Sequence, residues 1–107
     1  MVKTDYSKTD ELLSFKFLEK KLDWNISPSL LETVKSELDK IVGQDKKSDT
    51  LKVVFDMAES EYISSAFIRI ICMTLNRLNS KNFTIINTNS CIKKILQECG
   101  LIFYLSE

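Results

Sequence analysis

The densest collection of reactive oxygens in the sequence lies between positions 56 and 67, where Asp56, Glu59, Ser60, Glu61, Ser64 and Ser65 fall in one short stretch. Two chemistries suit such a group. Clustered carboxylates attract a hard cation, which would make Asp56, with Glu59 and Glu61, the centre of a small metal-dependent phospho-acceptor or phosphatase. A hydroxyl at a helix start suits phosphorylation instead, because the helix dipole and free N–H groups stabilise the added charge. Ser64 and Ser65 also have a purely structural use as caps for the following helix, typically worth ~1 kcal/mol. No second acidic pair and no well-placed lysine motif supports the metal chemistry, so the three carboxylates read as a solvated acidic loop.

The rest of the composition narrows the choice. The sequence has no histidine, which excludes Ser-His and Cys-His dyads and any zinc site that needs an imidazole. Cys72, Cys91 and Cys99 are odd in number, form no C-x-x-C pair and fall inside apolar helical patterns, so they read as small buried hydrophobes. Fifteen basic and fifteen acidic residues balance, leaving no general positive field for a nucleic acid. Lys46 and Lys47 read as a solvated pair. No apolar run approaches the roughly 20 residues that span a bilayer. The first ten residues are polar and lack a secretion signal, so a cytoplasmic location is expected. At 107 residues with 44% hydrophobic content, the whole chain, 1–107, reads as a single domain able to bury its own core, with no cofactor required.

The elements that would position the 56–67 stretch follow from periodicity. Leu12 to Leu22 reads as a strand. Val2 to Tyr6 reads as an edge strand beside it, or residues 1–10 as a frayed terminus. Ser27-Pro28 opens a helix, with the serine as cap, that carries Leu30, Leu31, Val34, Leu38, Ile41 and Val42 at helical spacing and stops at Gly43. Residues 44–50 read as a loop. Leu51 to Met57 is nearly continuously apolar, the pattern of a strand buried on both faces. A second helix is expected from Ser65 to Asn79 with a stripe of Ile68, Ile71, Cys72, Leu75 and Leu78. Phe83 to Ile86 reads as a strand, and Ser90 caps a third helix, with Ile92, Ile95, Leu96 and Cys99, that is closed by Gly100. Leu101 to Leu105 packs as a strand or tail. Alternating strands and helices imply an α/β class: a mixed, mainly parallel sheet of about four strands carrying three to four helices.

In open sheets of this class the functional surface lies beyond the carboxyl ends of the strands, which is where residues 56–67 fall. Two aromatics join them there as interface anchors or as packing: Trp24, before the first helix, and Phe67, in the first turn of the second.

The same residues resemble a family. Val53 to Met57, followed by Tyr62-Ile63-Ser64-Ser65-Ala66-Phe67-Ile68-Arg69, is similar to the STAS pattern in which a strand ending in Asp leads into a "Y-I-S-S-A-G-L-R" or "F-I-D-S-S-G-L" helix start. Asn82 to Asn87 resembles the family's next strand. Ile92 to Leu101, reading I-K-K-I-L-Q-E-C-G-L, resembles its "v-r-x-v-L-e-l-t-G-L" segment. Leu22-Asp23 before Pro28 resembles "l-D-x-x-x-a-p-x-L". The resemblance covers most of the chain after residue 12.

What it implies is a divergent anti-sigma-factor antagonist, a non-enzymatic regulator that docks to a kinase-type anti-sigma factor or other signalling protein. In the family, phosphorylation of the serine after the Asp or Ser releases the partner; that serine is Ser65 here, with Ser64 less favoured. Asp56, Glu59, Glu61, Ser64, Ser65, Phe67 and Trp24 form the expected partner-binding set. Phe67 departs from the family, standing where Gly is usual, so a ring replaces a residue that admits close backbone approach. The alternative within the family is a non-phosphorylated subunit of a stress-signalling or lipid-transport assembly, with Phe67 as an anchor. Neither nucleic acid nor membrane insertion is implied, and a homodimer is compatible with the sequence.

Overall fold

The computed structural model describes residues 2–106. Its strands are β1 (Val2–Ser7), β2 (Leu12–Phe17), β3 (Lys21–Leu22), β4 (Lys52–Asp56), β5 (Tyr62–Ile63) and β6 (Phe83–Ile86). Its helices are α1 (Ser27–Val42), α2 (Ser65–Leu75) and α3 (Ser90–Glu98). The main sheet runs β1-β2-β4-β6, with β1 antiparallel and the rest parallel, while β3 and β5 form a separate parallel pair. This is the expected mixed, mainly parallel α/β sheet, and the amino-terminal segment is an edge strand.

Strand order advances one way through β2, β4 and β6, so crossovers of one hand place the connecting helices on one face. Burial alternates accordingly. Leu13, Phe15, Phe17, Val53, Phe55, Phe83 and Ile85 are buried, while Ser14, Lys16, Val54, Asp56 and Thr84 remain partly accessible on the other face. The expectation that 51–57 is buried on both faces is thus corrected: only alternate residues face the helices. The core is aromatic at its centre, where Phe55 packs edge-on against Phe15, Phe17 and Phe83.

Five local expectations also change. The strand expected over 12–22 breaks after Phe17. Leu13, Phe15 and Phe17 point inward at odd positions, so an unbroken strand would turn Leu22 outward; the turn at 18–20 brings Leu22 into the core, fully buried. Ser27 does not cap α1: it is buried and its Oγ donates to the Asp23 carbonyl at 2.6 Å, while Ile26 holds the cap position. In α3 the cap is Asn89, whose Oδ1 accepts from the Ile92 N–H at 2.8 Å, and not Ser90. The three cysteines are exposed rather than buried. The buried stripe of α2 is Phe67, Ile70, Ile71 and Thr74, one step around the helix from the expected one, which carries Cys72 to the outer side.

The expected helix to Asn79 ends at Leu75, and the residues beyond it hold the molecule together at its lower end. Arg77, 8% exposed, donates through Nε to the Lys46 carbonyl at 2.6 Å and through Nη2 to the Gly43 carbonyl at 2.8 Å. The same Nη2 lies 2.9 Å from Asp39 Oδ1. One guanidinium therefore closes the carboxyl end of α1 and the loop after it. Arg77→Met is expected to leave these acceptors unpaired and to cost about 2–3 kcal/mol, measured by urea unfolding.

The Asp39 carboxyl adds a pH signature. Partial desolvation raises its pKa, but the Arg77 hydrogen bond, the Asp45 N–H and the charges of Arg77 and Lys35 outweigh this, so the pKa lies below the ordinary 3.8. A depressed folded-state pKa stabilises the protein fully above the ordinary value, and the contribution fades as pH falls through the folded one. The stability gap between wild type and Arg77→Met should accordingly narrow below about pH 4.

Candidate functional site

The carboxyl ends of β2, β4 and β6 are tied into one rim. Asp56 Oδ1 accepts from the Ala58 N–H and from Asn87 Nδ2, both at 3.0 Å. Asn87 sits at φ 60°, a left-handed conformation that asparagine tolerates better than most residues. Asn89 Nδ2 donates to the Glu61 carbonyl at 3.1 Å, the Glu61 N–H to the Lys20 carbonyl at 2.7 Å, and the Ser64 N–H to the Leu22 carbonyl at 3.0 Å. Ser60, buried, sends its Oγ to the Glu19 carbonyl at 2.8 Å. These bonds join three separate loops, so the segment that delivers α2 is held by backbone carbonyls and short amides.

The acidic residues divide by use. Asp56 braces the loop. Glu59 stands 4.0 Å from Lys16, an exposed pair of the sort that contributes little to stability. Glu61 is exposed and engages the rim through its backbone. Among the described residues no three acidic or cysteine side chains gather as a metal site.

The two serines separate clearly. Ser64 is the α2 cap: its backbone is extended and its Oγ accepts from the Phe67 N–H at 3.3 Å. Ser65, the first helical residue, is exposed, and its hydroxyl makes no hydrogen bond among the described residues. Phe67 is the reverse of an anchor. It is 0% exposed and packs edge-on to Phe17 at 5.0 Å and tilted to Phe55 at 6.1 Å. Its place in the expected partner-binding set is therefore corrected: α2 turns that position inward, where only the core can touch it.

Trp24, by contrast, is 72% exposed. With Ser27, Pro28, Leu31, Ala66 and Arg69 it lines a shallow, largely apolar groove of about 180 Å³ between α1 and the start of α2. Ser65 precedes the groove residue Ala66. Leu18 and Tyr62 are also exposed at this end, giving it three of the six large exposed hydrophobics among the described residues. Leu18, Tyr62 and Arg69 lay outside the expected partner-binding set. Leu18 and Tyr62 each adjoin a glutamate, Glu19 and Glu61, whereas Arg69 lies between Ile68 and Ile70 and carries no local signal beyond its charge in an apolar helix.

A mainly parallel sheet with its helices on one face, and a helix start presented on a tied loop rim, define a STAS-type fold. Neither a family model nor a curated protein sequence matches the chain. Solved structures do. The anti-sigma factor antagonist SpoIIAA in its unphosphorylated form superposes with a TM-score of 0.73 at 10% identity, over 99% of this chain and 86% of that one. The Bacillus cell fate determinant SpoIIAA in its phosphorylated form gives 0.66 at 10% identity, over 99% and 89%. The chain has the anti-sigma-factor-antagonist fold. No helix among the described residues is long and apolar enough to cross a membrane.

Proposed function

We propose that the protein is a partner-switching regulator of the antagonist type. It docks to a kinase-type anti-sigma factor, or another signalling protein, through the rim at the start of α2, and phosphorylation of Ser65 releases the partner. One observation carries this reading: Ser64 performs the capping, which leaves the Ser65 hydroxyl exposed and unengaged beside an apolar groove. A residue needed to hold the helix would be a poor switch, because modifying it would unfold what the partner reads. Ser65 has no such duty.

The solved structures with this fold include an antagonist in both phosphorylated and unphosphorylated forms, which supports the reading. The assembly-subunit alternative made Phe67 its anchor, and the buried ring is unavailable for that role. The phospho-acceptor alternative needs an open Asp56 carboxylate, whereas Oδ1 of that residue already accepts two hydrogen bonds. The proposed regulator works without a cofactor, in the cytoplasm.

Trp24 is the anchor of this surface, since exposed aromatics beside apolar pockets dominate interface energetics. Trp24→Ala should weaken partner binding at least about 30-fold, equivalent to roughly 2 kcal/mol, with little effect on thermal stability. Calorimetric titration of the purified partner measures the affinity. Undiminished binding would remove the groove from the interface.

A further inference from the structure

We infer that Arg69 receives the phosphate of modified Ser65 within the same chain, which withdraws its guanidinium from the Trp24 groove. The inference rests on the reading of Ser65 as the switch residue and adds how the switch acts. Ser65 and Arg69 stand four residues apart on α2, so their side chains share one face with about 5–6 Å between Cβ atoms. Both are exposed.

The sequence has two arginines, and they differ in employment. Arg77 is spent on the Gly43 and Lys46 carbonyls and on Asp39. Arg69 makes no ion pair or hydrogen bond among the described residues, and it lines the groove with Trp24, Leu31 and Ala66. A guanidinium fork matches a phosphate in geometry and charge better than an ammonium does. The acidic residues of the preceding loop, Glu59 and Glu61, supply repulsion and no rival cation.

Two states follow. With Ser65 unmodified, the guanidinium rims the groove and is free to meet a carboxylate on the partner. With Ser65 phosphorylated, it turns to the phosphate four residues before it. Release then combines two effects: a new negative charge on the docking surface, and the loss of a positive one that had been available to the partner.

The test uses phosphoserine placed at position 65 by genetic encoding, so no kinase is needed. Phosphorus NMR follows the second ionisation of the phosphate in wild type, Arg69→Gln and Arg69→Lys, each first shown to melt like the unmodified protein. Arg69 should raise the ionisation constant about three- to tenfold over Arg69→Gln, with Arg69→Lys between them. The helix dipole acts equally on all three and cancels. Identical titration of wild type and Arg69→Gln would overturn the inference. The reading of Ser65 as the switch fails separately, if Ser65→Asp leaves partner binding intact. A flat titration together with lost binding in Ser65→Asp would leave repulsion alone as the mechanism.

Discussion

Replacing Phe67 by glycine, the residue usual at this position in STAS sequences, is expected to cost about 4–5 kcal/mol of stability. Emptying a fully buried aromatic site costs about 3–5 kcal/mol through lost burial and the cavity left behind. A glycine inside a helix costs up to about 1 kcal/mol more. The ring also gives up two aromatic contacts, to Phe17 and Phe55. A domain of this length has only about 5–15 kcal/mol in total, so the variant should sit near the edge of folding. Urea unfolding measures the loss as a shifted midpoint at unchanged slope. Phe67→Leu, which keeps most of the volume, should lose far less. A cost below about 1 kcal/mol for the glycine variant would mean that the ring is not packed in the core.

Ser65→Asp should reduce partner affinity at least about 100-fold, close to 3 kcal/mol, because a charge placed in a docking surface adds desolvation cost and repulsion. Stability should barely change, since the Ser65 hydroxyl holds nothing and an acidic residue suits a helix start. Ser64→Ala should show the opposite profile, losing about 1 kcal/mol of stability with its cap and keeping most of its affinity. The pair of variants separates switch from scaffold. Equal effects of both substitutions on binding and on melting would mean that Ser65 acts as an ordinary structural residue.

The sheet was legible because each strand carries enough apolar residues in sequence to be recognised without knowing its neighbours. Which face each strand buries was harder. Leu51 to Met57 looks two-sided in one dimension, and only the placement of all helices on one face makes Val54 an outer residue. The α2 stripe was misplaced for a related reason: Ile68, Ile71 and Cys72 satisfy helical spacing as well as Phe67, Ile70 and Ile71 do, and the choice is made by the sheet beneath. Phe67 joined the expected interface set because it stands in the first turn of the helix beside the candidate serines, and the phase of α2 turns it into the core instead. The cap of α3 moved from Ser90 to Asn89 because both are good caps and adjacent; the rim, through the Asn89 bond to Glu61, selects the second. Arg77 carried no sequence signal, since its acceptors lie more than thirty residues away in the chain. The loop of candidate residues was found because its chemistry is local, whereas the division of labour between Ser64 and Ser65 needed the backbone geometry of the cap.

The central claim is that the protein docks through the start of α2 and the Trp24 groove. The most direct test recovers the partner from native cell extract with the wild-type chain as bait, then measures its affinity for wild type, Ser65→Asp, Trp24→Ala and Phe103→Ala. Phe103, 88% exposed, lies near Ser80 and Lys81 at the opposite end of the molecule, and serves as the control. The account predicts a nucleotide-binding kinase-type partner that is lost with Ser65→Asp, weakened by Trp24→Ala and bound normally by Phe103→Ala. A partner that binds the first two variants as well as wild type, and loses affinity only for Phe103→Ala, would contradict it.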